Sequence, residues 1–475
     1  MTTVELSSEG FLLTADKWRE RLMQHGFTVA CKSARIGSDW NAKEVSLEGV
    51  NLEELLQEFG SPLVVVHERL ALESVKGFRD ITSALEGTLR PQLRVASRPP
   101  KLSPSLVYSS AAQVYASVSA HPTMELLRRL SNWEMGLVAQ SAGEVVRALR
   151  AGVAAHSILF SSSFKTEAEM LQAHKQGLLA IEVESLPEFE ELLGPVFQQA
   201  AETAGYPVRI CLRLGIGKRT QLDSLSLDQA LYLCGRLRTC SHLSLVGISS
   251  AWGRCEETDI ENFKVVVHTL RSFVEEQLSA GFPIEFAMIG ARSKLNLQTP
   301  EEAPEQCNPR NYSRVTFQAF RGASFRVYFS CADAIFRQST HLLGTVVRIA
   351  ESPERITCYL DIAVPGHTSD VTSVLPLSGH TLERSAFCTR TTTLKQRVVV
   401  GRSCLDHMPV YLSAAPFELR AGMNVLLPAV GAGFCPQASQ AGSVLRPTEV
   451  LITAEGEVVV LRRRDTLESC LGVET

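Results

Sequence analysis

Three polar stretches stand at the ends of apolar runs that the sequence predicts to be β strands. They are Tyr115–His121 (YASVSAH), Gly247–Arg254 (GISSAWGR) and Gly290–Arg292 (GAR). The carboxyl ends of parallel strands meet at one edge, where catalytic and binding groups are usually placed. Histidine suits proton transfer and arginine suits anion binding. His121, Arg254 and Arg292 are therefore candidates for a small-anion site. Simple hydrogen bonding of the histidine and pairing of the arginines with nearby acids remain alternatives.

The composition excludes several classes of protein. The chain has 475 residues, a formal net charge of -4 and a pI near 6.3. This charge gives no electrostatic basis for binding nucleic acid or an anionic membrane. No run approaches the roughly 20 apolar residues of a membrane helix, and MTTVELSSEG lacks the features of a secretion signal. The 12 cysteines form no C-x-x-C pair and no Cys/His cluster. We therefore expect no metal site, and reduced thiols in a cytoplasmic protein.

Short β-branched runs alternate with amphipathic helical segments from Ser61 to about residue 322. The eight runs are LVVVH (63–67), QVYASVS (113–119), GLVAQ (136–140), SILFSS (157–162), LLAIEV (178–183), VRICLRLG (208–215), LSLVGISSA (243–251) and FAMIGA (286–291). Strands that alternate with helices run parallel, and eight of them close into a (β/α)8 TIM barrel. An open doubly wound sheet is the competing architecture. Capping boxes, such as Thr166 with Glu169, are predicted to start several of the helices.

The alternation of strands and helices ends at about Phe325, after which predicted strands follow one another with little helix between them. FRVYFSC, GTVVRIAE, NVLLPAV and EVVVLRRR are typical of this region. We therefore predict three parts: an N-terminal segment at 1–60 that packs with the β domain, a barrel at 61–322 and a β-strand domain at 323–475.

Four segments of the chain carry a resemblance to a known family. They are VNLEELLQEFGSPLVVVHERLALESVKGF, SAGEVVRALRAGV, ILFSSSFKTEAEM and IEVESLPEFEEL. Together they resemble the fold type III, or alanine racemase-like, pyridoxal-phosphate enzymes, and in particular diaminopimelate and ornithine decarboxylases. The likeness runs from about Val45 to Arg464. It implies a barrel followed by a β domain, and a two-fold dimer whose sites are completed across the interface.

The resemblance implies that a lysine should form a Schiff base with pyridoxal phosphate at the end of a Y-A-x-K-A-N strand. In Tyr115–His121 the best match puts Ser119 at that lysine and His121 near the asparagine. Serine cannot form an imine. Lys165 corresponds to a family lysine that is not the Schiff-base residue, and Lys101 lies in a Pro/Ser-rich loop from which substitution is not expected.

The other cofactor contacts that the resemblance implies are also altered. Gly247–Arg254 lacks the histidine that the family places against the cofactor ring, and the phosphate-binding glycine run becomes Gly290–Arg292. The acid that pairs with the ring nitrogen is replaced within Ser330–Ala334, where Asp333 is displaced by two residues. Gly290, Arg292 and His121 are the positions in the barrel from which weak cofactor contact is still conceivable.

The β domain of the family sends a C-[ED]-S-x-D loop into the partner's site. Cys404 keeps the cysteine position, but the acidic positions become Leu405 and Met408. A family G-A-Y, whose tyrosine reaches the phosphate, reads Gly431–Gly433 here, so Gly431 is a further weak cofactor position. Cys404 is more typical of a small buried hydrophobe than of a nucleophile.

Three hypotheses follow from a retained fold with an altered site. The first is a catalytically inactive, decarboxylase-like pseudoenzyme that binds no cofactor and forms a homodimer, or a heterodimer that regulates an active paralogue. The second is a working pyridoxal-phosphate decarboxylase of diaminopimelate, ornithine or lysine with unusual site residues. The third is a small-anion sensor or an enzyme without pyridoxal phosphate that uses the barrel mouth.

Overall fold

The chain forms two compact units in a computed structural model. One unit comprises Met1–Ala71 with Phe336–Thr475, and the other comprises Leu72–Ile335. The structure describes residues 23, 26–31, 42–86, 112–216, 224–250, 260–290, 309–332, 334–353, 355–362, 374–377, 396–401, 410–412, 419–431 and 444–472. Within these ranges no helix is both long and apolar enough to cross a membrane.

The elements that precede the barrel in the chain form a small sheet, two helices and one buried strand. They are β1 (Phe27–Cys31), β2 (Ala42–Leu47), β3 (Val50–Asn51), α1 (Leu52–Phe59), β4 (Leu63–His67) and α2 (Glu68–Glu86). Strands β1, β2 and β3 pair in that order as an antiparallel sheet. Helix α1 begins at Asn51, whose side chain accepts hydrogen bonds from the free amides of Glu53 and Glu54.

Eight parallel strands and their helices make up the second unit. They are β5 (Ala112–Ser117), α3 (Met124–Asn132), β6 (Gly136–Ala139), α4 (Ala142–Arg150), β7 (Ile158–Phe160), α5 (Glu167–Gln176), β8 (Ala180–Val183), α6 (Leu186–Leu192), α7 (Pro195–Ala204), β9 (Val208–Leu214), α8 (Leu227–Leu237), β10 (Leu243–Ser250), α9 (Ile260–Ser279), β11 (Phe286–Gly290), α10 (Pro309–Phe320) and β12 (Arg326–Ala332). Because β12 pairs with β5, the sheet closes. The predicted TIM barrel is confirmed, and the open sheet is wrong.

The remaining strands form a mostly antiparallel sheet in the first unit. In chain order these strands are β13 (Thr340–Glu351), β14 (Arg355–Leu360), β15 (Leu375–Pro376), β16 (Gln396–Val400), β17 (Val410–Leu412), β18 (Asn424–Leu427), β19 (Thr448–Ile452) and β20 (Val458–Arg462). A short helix, α11 (Ala334–Arg337), precedes them, and another, α12 (Leu467–Leu471), follows them. The sheet order is β17-β16-β14-β13-β4-β19-β20, and β18 pairs with β13 and β15. This is the predicted β domain.

The assignment of two strands from the sequence was wrong. LVVVH is β4, which pairs with β13 and β19 in the β domain, and FRVYFSC holds β12, the eighth barrel strand. The barrel unit therefore spans Leu72–Ile335 rather than 61–322. The physical reason is that β4 is covered on both faces: Val64 packs into one apolar cluster and Leu63 and Val65 into another. A strand buried on both faces has the same unbroken apolar run as a barrel strand.

Aromatic rings fill part of the barrel interior. The ring centroid of Tyr328 lies 5.0 Å from that of Tyr115 and 5.0 Å from that of Phe286, and all three side chains are almost fully buried. Two neighbouring strands make room for these rings with glycine. A Cβ at Gly247 would lie 2.2 Å from Cζ of Phe286, and one at Gly136 would lie 2.3 Å from Cε1 of Tyr115. Glycine is thus required by the aromatic packing.

We expect Gly247→Ala to lower the free energy of unfolding by about 1–3 kcal/mol, because the added methyl group overpacks an interior whose rings cannot move aside. Gly235→Ala is the matched control, since that glycine lies within α8 and a Cβ there would meet nothing within 4 Å. Urea unfolding of both variants measures the difference. Equal stability of the two variants would contradict this account of the barrel packing.

Candidate functional site

A layer of polar side chains lies next to the aromatic rings, towards the carboxyl ends of the barrel strands. Residues two apart on a strand share a face. Ser117 therefore follows Tyr115 into the interior, and Ser249 follows Gly247. Both serines are buried. Hydroxyl groups thus line part of the barrel mouth. Charged groups from the neighbouring strands, described below, line another part.

Ser119 lies on a short 3-10 turn, Val118–Ala120, directly after β5. Its Oγ is 2.6 Å from Oγ of Ser117, and its side chain is half-buried. The turn carries the chain from the strand to α3. Ser119 therefore stands at the carboxyl end of a barrel strand, where the sequence places it, and its assignment to the lysine position stays a prediction.

His121 follows the same turn and is fully buried. Its Nδ1 lies 3.3 Å from Oγ1 of Thr123, just before α3 begins. A ring with no exposed surface cannot reach a ligand without rearrangement of its surroundings. This placement corresponds to the histidine that is hydrogen-bonded at the barrel mouth, the simpler of the two interpretations.

The other predicted positions fall in both units or outside the described ranges. Gly290 ends β11 and is half-buried. Gly431 belongs to the β-domain unit, where it is buried with a φ of 90° that favours glycine. Arg292 and Cys404, together with Arg254, Asp333 and Lys101, lie outside the residues that the structure describes. The small-anion hypothesis depends on Arg254 and Arg292, and it stays a prediction.

Lys165 is a buried lysine whose charge is already paired. Its Nζ lies 2.5 Å from Oε1 of Glu188, in α6, and donates to the carbonyl oxygen of Ser162 at 2.5 Å. The side chain has no exposed surface. Its amine is therefore engaged in an ion pair and is not placed to act as a nucleophile.

A buried hydrogen-bonded network joins the inner faces of β7, β8, β9 and β10. Arg213 Nη1 lies 3.2 Å from Oε2 of Glu182 and 3.1 Å from Oε1 of Glu184. Ser161 hydrogen-bonds Glu182 and also lies 3.3 Å from Glu184, and Ser249 donates to Oε1 of Glu182 at 2.5 Å. We call Ser161, Glu182, Glu184, Arg213 and Ser249 the barrel network.

The electrostatics of the barrel network are unusual because two carboxyls share one guanidinium. Burial, and next the negative charge of Glu182, raise the pKa of Glu184 to about 7. The two carboxyls together raise the pKa of Arg213 against the effect of its own burial, so it stays charged. Arg213 thus pairs with both acids, and its Nη1 also donates to Oγ of Ser161 at 3.2 Å. In the part of the chain that the structure describes, no three His, Cys, Asp or Glu side chains could hold a metal ion.

The barrel network was missed by the sequence reading, although a signal existed. Glu182 interrupts the apolar run of β8, Glu184 follows directly after that strand, and Arg213 interrupts the run of β9. A charged residue that faces the interior of a buried strand needs a partner of opposite sign. Charges at matched depth in neighbouring strands therefore indicate a buried network.

Comparisons with known proteins agree with this architecture. A family model described as "Pyridoxal-dependent decarboxylase, pyridoxal binding domain" matches residues 105–291. Diaminopimelate decarboxylase of Zymomonas mobilis is 25% identical over 326 residues, which cover 67% of this chain and 71% of the relative. That of Pseudomonas aeruginosa is 23% identical over 333 residues, which cover 68% and 72%.

Solved structures show the same fold. Diaminopimelate decarboxylase of M. jannaschii in complex with L-lysine superposes with a TM-score of 0.74 at 16% identity, over 95% of this chain and 98% of the other. The Helicobacter pylori enzyme with L-lysine gives a TM-score of 0.70 at 19% identity, over 89% and 99%. The matched domain, the relatives and the shared fold together support the fold type III family of pyridoxal-dependent decarboxylases for this chain. Within that family it is similar to diaminopimelate decarboxylases.

Proposed function

We propose that this chain is a catalytically inactive member of its family that acts by association with an active paralogue. The observation that carries the proposal is Ser119, at the carboxyl end of β5, where the family resemblance calls for the Schiff-base lysine. Its hydroxyl is hydrogen-bonded to Ser117. A serine hydroxyl supplies neither the imine nitrogen nor the base that the family chemistry requires.

The described part of the chain does not fit a covalently held pyridoxal phosphate. Five lysines lie in the described ranges, and one of them, Lys43, belongs to β2 of the N-terminal sheet. Lys76, Lys175 and Lys264 belong to the outer helices α2, α5 and α9, and Lys165 is buried in its ion pair with Glu188. The inner face of the barrel carries Glu182 and Glu184 instead, and two carboxyls disfavour a phosphate dianion. This misfit supports an inactive barrel.

Retention of the fold supports a role in association. The barrel closes with its aromatic interior intact, and the β domain has a continuous sheet through β4. Selection for fold without selection for chemistry is expected when a protein functions by binding another protein. A family member of the same shape is the natural partner, because two-fold dimers pair the same surfaces of related chains.

Association is tested by native mass spectrometry of the tagged chain purified from its own source. We expect a heterodimer with an active decarboxylase paralogue, and a change in that enzyme's activity or stability when this chain is removed. A tagged copy of the paralogue, purified in the absence of this chain, serves as the control. Recovery of homodimers alone, with the paralogue's activity unchanged, would refute the regulatory role.

The alternative, a working decarboxylase, requires another lysine to replace the one lost at Ser119. The candidates by sequence are Lys101, Lys218 and Lys294, which lie in segments outside the described ranges. Release of carbon dioxide from diaminopimelate, ornithine or lysine by the purified chain with added pyridoxal phosphate would establish this alternative. Variants of these three lysines to alanine would then identify the residue responsible.

A further inference from the structure

Among the residues that the structure describes, five charged side chains converge on the inner face of β8 and its surroundings. Glu182 and Glu184 come from β8 and the residue after it, Glu188 from α6, Arg213 from β9, and Lys165 from the loop that follows β7. Arg213 lies within 3.2 Å of the first two carboxyls, and Lys165 lies 2.5 Å from the third. With every group ionised, three negative charges therefore face two positive ones, and one negative charge is uncompensated.

Hydrogen bonding distinguishes the two carboxyls that share Arg213. Glu182 accepts from Ser249 at Oε1 and from Ser161 and Arg213 at Oε2, so both of its oxygens have donors. Glu184 has Arg213 and Ser161 near Oε1. Its Oε2 is buried and has no hydrogen-bond partner among the residues that the structure describes. A buried, ionised carboxylate oxygen without a hydrogen-bond donor raises the free energy of the folded state. Protonation of the carboxyl removes this penalty.

We propose that the barrel network is a proton-binding site, in which Glu184, rather than Glu182, takes up one proton as the pH falls through neutrality. The proton supplies the positive charge that the five groups lack, and it resides on the less well solvated carboxyl. The pair then consists of a neutral acid and a carboxylate that share one guanidinium. Such a pair is a donor and an acceptor of protons that depends on no cofactor.

The surroundings of Glu184 agree with this assignment. Burial and the charge of Glu182 raise its pKa to about 7, against the lowering effect of Arg213 and Lys165. Burial also raises the pKa of Glu188, and the positive charge of Lys165 acts in the opposite direction. Lys165 is paired with Glu188 and not with Glu184. Cys211, on the same face of β9, is fully buried, and its raised pKa keeps the thiol neutral. The negative charge of Glu188 also raises the pKa of Glu184.

The proton links the stability of the barrel to pH. In the unfolded chain the pKa of Glu184 returns to its ordinary value of 4.5, whereas in the folded chain it is about 7. The folded state therefore binds more protons between these two values. The stabilisation is fully present below pH 4.5 and is lost as the pH rises through 7. The contribution of Glu184 to stability is therefore larger under mildly acidic than under alkaline conditions.

The test is carbon-13 NMR of the full-length chain labelled at the glutamate carboxyl carbons, titrated from pH 4.5 to 8.5. We expect one carboxyl resonance to titrate near pH 7. It should disappear in Glu184→Gln and shift towards the ordinary value of 4.5 in Glu182→Gln, which removes the repulsive charge. Glu285→Gln, in the ion pair with Arg209, is the matched control and should leave that resonance unchanged.

Two results would overturn the proposal. One is a wild-type spectrum in which no glutamate titrates near neutrality, and this result requires no variant to fold. The other is a neutral titration that persists in Glu184→Gln and is lost in Glu182→Gln, which would place the proton on the other carboxyl. Thermal unfolding provides a second measurement: the fall in melting temperature of the wild type from pH 5 to pH 8 should be largely absent in Glu184→Gln.

Discussion

Replacement of Arg213 by methionine should destabilise the barrel by about 3–5 kcal/mol at pH 8, because the change leaves Glu182 and Glu184 buried without their shared cation. Methionine keeps most of the volume and flexibility of the arginine stem, so the loss reflects charge rather than a cavity. The effect should be smaller at pH 5, where Glu184 is protonated and only one negative charge lacks its partner. Urea unfolding at the two pH values measures both quantities.

Two further variants separate a charge effect from general damage. Adding Glu184→Gln to Arg213→Met should recover part of the lost stability, because it removes one of the two repelling carboxyls. Arg236→Met is the matched control, since its ion pair with Glu190 is on the surface, and it should have little effect. A double variant no more stable than Arg213→Met at pH 8 would contradict the electrostatic account of the network.

Tyr328→Ala should also cost about 3–5 kcal/mol, because the ring lies between Tyr115 and Phe286 in the barrel interior and its removal leaves a cavity. Tyr328→Phe keeps the ring and should retain most of the stability. Chemical denaturation of both variants provides the comparison. Similar losses in the two variants would mean that the hydroxyl group, rather than the ring packing, supports the barrel.

The fold could be predicted from the sequence because its pattern is repeated. Alternating strands and amphipathic helices required parallel pairing, and the capping box of Thr166 with Glu169 forms as predicted. The two exchanged strands show the limit of this reasoning. An unbroken apolar run reports burial on both faces, and the run itself does not distinguish β4, in the centre of a sheet, from a strand of a closed barrel.

The candidate site was less accessible to sequence reasoning. Family motifs directed attention to strand ends, and Ser119 and His121 are found there. The barrel network lies within the barrel strands or directly after them. In the sequence, its charged residues are seen only as polar positions in or beside an apolar run. Its recognition depends on which residues of β8 and β9 lie at similar depth, and this is fixed by the register that pairs Glu182 with Cys211, two residues before Arg213. That register follows from barrel closure, a property of all eight strands together.

The central claim, that this barrel forms no Schiff base, is tested most directly by adding pyridoxal phosphate to the purified chain. The visible absorbance of an internal aldimine is recorded, and the complex is then reduced with borohydride and mapped by peptide mass spectrometry. The exposed Lys76 and Lys175 provide the background level of non-specific labelling. We expect no aldimine band and no lysine labelled above that background. A stoichiometric cofactor on one lysine, accompanied by the aldimine band, would contradict the proposal and make this chain a candidate decarboxylase.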